Sequence, residues 1–193
     1  MRQVDQSELN VRPVDLNGLP QEFMNPGELD VLVALIRTVR EPREVVEIGV
    51  NSGRTAAVIL REVKDVEHYV GIDVPRDYVP GLPVQAGERP RIAGFHAEDD
   101  IRFDVIIPRR GSLDLRPADL GPVDLVFIDG DHSRAAVEHD TALAHAIVQP
   151  GGMVIWHDYS NDRVEVTEVL DQLVAAGHDI THVLGTWLAF ERR

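Results

Sequence analysis

The chain has 193 residues, 44% hydrophobic and 27% charged, which suits one domain with a substantial core and excludes a disordered or fibrous composition. A formal net charge of −14 argues against a general nucleic-acid binder, which needs an excess of Lys and Arg, and no apolar run approaches the roughly 20 residues of a membrane span. Zero cysteines exclude disulfides and thiolate chemistry, and Met1–Asp5 lacks the apolar core of a signal peptide, so a cytoplasmic protein acting on a small molecule is expected.

Residues 1–24 are polar and carry Pro13, Gly18 and Pro20, so they read as an extended or poorly ordered N-terminal arm. Residues 25–193 read as a single domain. Asn25-Pro26 resembles a helix cap with proline in the first turn, and Leu29, Leu32, Val33, Leu35, Ile36 and Val39 recur at helical spacing, so a helix is predicted over 27–40.

Val45, Val46 and Ile48 then form a β-branched apolar run that predicts a buried parallel strand over 44–49. Glu47, Gly49 and Gly53 follow as Glu-x-Gly-x-x-x-Gly, with a helix from about 53 to 64. Strand, glycine turn and helix N-terminus place a nucleotide-like ligand above the strand ends. The spacing is not the Gly-x-Gly-x-x-Gly of dinucleotide enzymes. An acidic residue there suits a cationic cofactor and points to S-adenosylmethionine, whose amino group and sulfonium are both positive.

His68–Asp73 is the second strand, and Asp73 falls where nucleotide-binding α/β folds place a carboxylate for the ribose hydroxyls. Residues 75–102, rich in Pro and Gly, predict a lid or substrate-facing insertion. Phe103–Ile107 is the third strand, with Gly111 and Ser112 after it as candidates beside an adenine. Val123–Asp129 is the fourth strand and runs into Gly130-Asp131-His132-Ser133, followed by a helix. Pro150-Gly151-Gly152 reads as a stop and turn, Met153–Trp156 as the fifth strand ending in His157-Asp158-Tyr159, and residues 163–176 as a helix stopped by Gly177. Ile180–Leu184 and Trp187–Phe190 close the chain as an antiparallel hairpin. Trp156 and Trp187 read as packing residues, and Asp131 as the residue that would orient His132. The alternation of strands and helices predicts an α/β fold, a doubly wound Rossmann-like sheet with helices on both faces.

Glu47–Thr55, Gly71-Ile72-Asp73, Phe127–Ser133 and Pro150–Gly152 resemble class I S-adenosylmethionine-dependent methyltransferases. The Ile-Asp-Gly-Asp-His and Trp-His-Asp-Tyr segments resemble the small O-methyltransferase branch that includes the macrocin, cephalosporin-biosynthesis and catechol enzymes. The resemblance covers about residues 25–190 and implies a seven-stranded sheet of order 3-2-1-4-5-7-6, with the last strand antiparallel. It implies S-adenosylmethionine bound by Glu47, Gly49, Asn51, Ser52, Gly53, Thr55, Asp73, Gly111, Ser112 and Asp129. It also implies a divalent ion, Mg2+ or another, on Asp129, His157 and Asp158, and a homo-oligomer. The chain departs from the family loop at Asn51, which takes a glycine position and tolerates left-handed backbone better than other side chains.

Methyl transfer to a small-molecule hydroxyl is thus the expected reaction, with a metal lowering the hydroxyl pKa or with His132 or His157 as general base beside Asp129. Two other classes compete. A nicotinamide-dependent oxidoreductase would also use strand, glycine turn and Asp73, but the third glycine and a Tyr-x-x-x-Lys pair are lacking. A cofactor-binding module without turnover is the other.

Overall fold

The computed structural model describes residues 1–21, 24–85 and 90–193. Its sheet has the spatial order β1 (Arg2–Val4), β7 (Thr181–Val183), β8 (Ala189–Arg192), β6 (Val148–Trp156), β5 (Val123–Ile128), β2 (Glu44–Ile48), β3 (His68–Ile72) and β4 (Phe103–Ile106). Strand β8 runs antiparallel to both neighbours, and the other pairings are parallel. Seven of these strands carry the expected order 3-2-1-4-5-7-6. The eighth comes from the N-terminal arm, which is extended and paired rather than poorly ordered at Arg2–Val4. Arg2–Val4 pairs with Thr181–Val183, and Val4, Leu9, Val11, Val14 and Leu19 pack against the core. Three residues, two polar and then one apolar, leave no readable strand pattern.

Period-two alternation sorts the strand side chains into two cores. Val45, Leu125, Phe127, Met153 and Ile155 face α1 (Glu28–Ile36) and α2 (Arg54–Glu62). Val46, Ile48, Val126, Ile128, Val154 and Trp156 face the apolar sides of α4 (Arg134–Ile147) and α5 (Val166–Ala175), while a short helix, α3 (Pro117–Leu120), precedes β5. Phe127, Leu32 and Ile155 are fully buried, and each such side chain contributes about 1.5–3 kcal/mol by leaving water. Pro150-Gly151-Gly152 is not a turn before the strand. It lies inside β6, whose pairing with β5 shifts register between Val123 and Leu125. The first helix begins at Glu28, with Gly27 at its cap in left-handed backbone, so Asn25 and Pro26 form the turn before it.

The four central strands end in step. Ile48 is level with Ile72 and Ile128, and Ile128 with Trp156. The residues that follow are therefore brought side by side: Asp73, Gly49, Asp129 and His157. Backbone hydrogen bonds lock the row, with Gly49 N–H donating to Ile72 O (2.7 Å), Asp129 N–H to Ile48 O (2.8 Å) and His157 N–H to Ile128 O (3.0 Å). Gly49 is demanded twice over. Its φ is +93°, and a Cβ there would lie 2.2 Å from the Asp129 carbonyl oxygen. Gly49→Ala is expected to cost about 3 kcal/mol or more, the sum of left-handed strain and overpacking, read as a fall in the urea unfolding midpoint.

Candidate functional site

Above this row lies a cleft of about 370 Å3. Gly49, Asn51, Asp73, Gly111, Ser112 and Asp129 line it, and so do His132, His157 and Asp158. The structure thus brings together most of the residues singled out from the sequence. Four it does not place on the wall: Glu47, Ser52, Gly53 and Thr55 are not among its lining residues.

Glu47 sits beneath the floor, 1% exposed, accepting a hydrogen bond from Tyr69 Oη at 2.8 Å. Burial, reinforced by the charges of Asp129 and Asp73 and only partly offset by Tyr69, pushes its carboxyl up to about 8. Burial thus favours its neutral form and places it beneath the cleft rather than on its wall. Asp73 is the acid that faces the cleft. Its carboxylate accepts from Asn51 N–H and Val74 N–H, each at 2.6 Å, and Asn51 adopts the left-handed conformation (φ +46°) foreseen for it.

Across the cleft, two carboxylates and two imidazoles converge. Asp129 Oδ1 and Asp158 Oδ2 each lie 3.2 Å from His132 Nε2. The same oxygens lie 3.2 and 3.3 Å from His157 Nδ1, although neither is well aligned for a hydrogen bond. Asp158 is 6% exposed with φ +63°, a strained backbone for a non-glycine residue at a candidate site. Its Oδ1 accepts from Asn161 Nδ2 at 2.6 Å. Burial opposes charge on all four groups, yet their mutual attraction prevails. The imidazoles hold Asp129 well below the usual carboxylate range and lower Asp158, and the carboxylates raise His132 and raise His157 well above its ordinary value.

Two residues complete this cluster and were not visible in the sequence. Glu28, on the first turn of α1 and 2% exposed, places Oε2 3.2 Å from His157 Nε2. The same carboxylate accepts from Trp187 N–H (2.7 Å) and Asn25 N–H (2.8 Å). At the helix start it reads as an ordinary partner of the helix dipole, and nothing local ties it to a histidine 129 positions away. Gln85 is the other. Its Oε1 accepts from His132 N–H (2.9 Å) and its amide nitrogen donates to Gly130 O (3.0 Å), which fixes the amide's orientation. The same nitrogen lies 3.0 Å from His132 Nδ1, so it donates there and the neutral ring carries its proton on Nε2, toward Asp129. Gln85, not Asp131, orients His132. Asp131 instead accepts from Tyr78 Oη (2.9 Å), Gly81 N–H (2.7 Å) and Ser133 N–H (2.9 Å).

These bonds draw residues 78–85 over the mouth of the cleft, where Tyr78, Pro80, Val84 and Gln85 form part of its wall. Within the predicted insertion at 75–102, residues 86–89 lie outside the described part. Trp187, read as packing, lines the cleft with its ring 6.1 Å from that of His157, whereas Trp156 is fully buried as expected. Tyr159 turns away to donate to Asp171 Oδ1 at 3.0 Å.

A family model described as a methyltransferase domain matches residues 46–159, more than half of the chain. The chain belongs to this methyltransferase family. The matched stretch runs from β2 through the end of β6 and contains the whole row of strand ends, while Glu28 on α1 lies outside it. Tricin synthase 2 of Oryza sativa subsp. japonica is 27% identical over 136 residues, covering 69% of this chain and 44% of that protein, so the chain spans under half the length of this relative. Cofactor-bound Rv0187 from MTB shares the fold with a TM-score of 0.64, 21% identity and coverage of 90% of this chain and 82% of that one. The O-methyltransferase TomG from Streptomyces achromogenes, crystallised with S-adenosylmethionine, has a TM-score of 0.59 at 19% identity over 97% of this chain and 94% of its own. No helix among the described residues is long and apolar enough to cross a membrane.

Proposed function

We propose that the protein transfers a methyl group from S-adenosylmethionine to a hydroxyl of a small-molecule acceptor. The observation that carries this reading is the row Asp73, Gly49, Asp129 and His157 along one cleft: ribose-type carboxylate and close backbone approach at one end, a proton-handling cluster at the other. The family membership and the S-adenosylmethionine complex of TomG support the cofactor. The cofactor fits the residues present, because Asp73 and the Gly111–Leu113 turn flank the Gly49–Asn51 side of the cleft. When bound, it supplies an electrophilic methyl on a sulfonium.

The chain's own residues then align, exclude water and take a proton. Tyr78, Pro80 and Gln85 cover the cleft, and Trp187 and Val164 give the acceptor side apolar walls. Alignment of acceptor and methyl group supplies most of the rate enhancement in such a displacement. The acceptor hydroxyl meets the edge where Asp129 Oδ1, Asp158 Oδ2 and His132 Nε2 face one another. Its proton goes to this cluster, which titrates as a unit rather than at one atom. Glu28 keeps His157 charged between the carboxylates, so their repulsion is neutralised.

The donor atoms of Asp129, His132 and Asp158 lie within 4.8 Å of one another. Two carboxylates and an imidazole fit a divalent cation when the neutral ring carries its proton on Nδ1 instead of Nε2, which requires the Gln85 amide nitrogen to give up its contact with Nδ1. These three residues would hold the ion, with His157 moved from the expected ligand set to the bridge toward Glu28. Such an ion would lower the pKa of the acceptor hydroxyl.

The test is transfer of labelled methyl from S-adenosylmethionine to a panel of phenolic and sugar hydroxyls, with and without excess chelator. Transfer is the expected result. Loss in chelator with recovery on adding Mg2+ would assign the cation to the cluster, and full activity in chelator would leave proton transfer to the cluster alone. A reducible substrate turned over with NADH, and no methyl transfer, would contradict the proposal.

A further inference from the structure

Outside the cleft, three residues from distant parts of the chain meet: His145 on the last turn of α4, His178 after α5, and Glu191 on β8. Glu191 is 5% exposed and accepts weakly from Asp179 N–H at 3.3 Å. His178 Nδ1 lies 3.1 Å from its Oε1 and 3.4 Å from its Oε2. His145 Nε2 lies 2.7 Å from Oε2, yet this nitrogen is shielded from solvent and makes no aligned hydrogen bond with any partner. A shielded ring nitrogen and a buried carboxylate held that close, with no aligned hydrogen bond between them, are an arrangement a shared cation satisfies. The two imidazole rings stack at 10° with centroids 5.0 Å apart, and each brings a ring nitrogen to the same carboxylate.

We propose that His145, His178 and Glu191 form a binding site for Zn2+, separate from the methyl-transfer cleft. The donor set is two imidazoles and one carboxylate, which favours zinc over the hard cations Mg2+ and Ca2+. Zinc sits about 2.0–2.2 Å from such ligands, which places tetrahedral donors about 3.4 Å apart. The 3.1 and 3.4 Å separations from His178 Nδ1 to Glu191 are near that spacing, His145 Nε2 at 2.7 Å would draw back from Oε2, and the three donor atoms already lie within 4.8 Å. Coordination requires the parallel rings to tilt toward one another. His178 stands in the turn after α5, with 29% of its side chain exposed, and has room to do so. Water would take the remaining position on the exposed side.

The ion would tie the end of α4, the α5–β7 turn and β8 together, so its expected consequence is stability rather than chemistry. The experiment is a titration of apo protein with Zn2+ by calorimetry, in the wild type, in His178→Ala and in Asp158→Asn, which disables the cluster in the cleft. One equivalent is expected to bind to a site that survives Asp158→Asn and weakens about tenfold or more in His178→Ala, with a zinc-dependent rise in melting temperature lost in His178→Ala alone. Methyl transfer by His178→Ala without added zinc should match the wild type. Zinc binding that disappears in Asp158→Asn and persists in His178→Ala, or no binding in any form, would overturn the site. Should His178→Ala fail to fold, His178→Gln and the visible spectrum of the Co2+ form decide: tetrahedral nitrogen and oxygen bands that the substitution abolishes support the site, and unchanged bands refute it.

Discussion

Asp158→Asn is expected to lower kcat for methyl transfer by about 10³-fold, within the range by which acid–base groups act. Asparagine preserves the volume, tolerates the left-handed backbone at φ +63° and keeps a carbonyl for the Asn161 amide. What it removes is the charge toward which His132 Nε2 and His157 Nδ1 both point. Asp158 stands on the acceptor side, with Asp73 at the opposite end of the row, so affinity for S-adenosylmethionine should change little. A kinetic comparison under saturating cofactor distinguishes this from misfolding: kcat falls while the cofactor dissociation constant holds. Equal losses in both would show that Asp158 supports the cleft rather than the reaction.

Glu28→Leu is expected to cost about 3–5 kcal/mol of stability, because it leaves the charge of His157 buried without its outer partner. Both side chains are nearly inaccessible, at 2% and 3% exposure. The pH dependence has a definite sign. Burial opposes Glu28's charge, but His157 and the Trp187 N–H hold its folded pKa below the unfolded value of 4.5. Its contribution is therefore present above about pH 4.5 and lost as pH falls through the folded pKa. His157 is opposite: burial lowers it, but Asp129, Asp158 and Glu28 raise it well above 6.5. Its contribution is complete below pH 6.5 and lost as pH rises through its folded pKa. Between about pH 4.5 and 6.5 both are fully present, so the gap between wild type and Glu28→Leu should be widest there. Urea unfolding at a series of pH values measures it. A constant gap from pH 3 to 9 would show that the loss is packing alone.

The sheet was legible because parallel strands announce themselves. Val45–Ile48, Val123–Ile128 and Met153–Trp156 are β-branched or apolar runs that end in Gly49, Asp129 and His157, and strand polarity alone puts such ends on one edge. What escaped was the part built by long-range contacts. Arg2–Val4 becomes a strand only because β7 offers a free edge. Glu28 gains its role from helix α1 crossing the ends of β6 and β8, and Gln85 from the fold of a segment with no periodicity. Glu47 shows the reverse. The sequence places an acid beside the glycine turn, but its depth, which raises the carboxyl pKa beside Tyr69, is a property that spacing does not encode.

The most direct measurement is calorimetric titration with S-adenosylhomocysteine and, separately, with NAD. One equivalent of S-adenosylhomocysteine per chain is expected, weakened about 10–100-fold in Asp73→Ala by loss of a charged hydrogen-bond partner, with no heat from NAD. Binding of NAD without binding of S-adenosylhomocysteine would contradict the account.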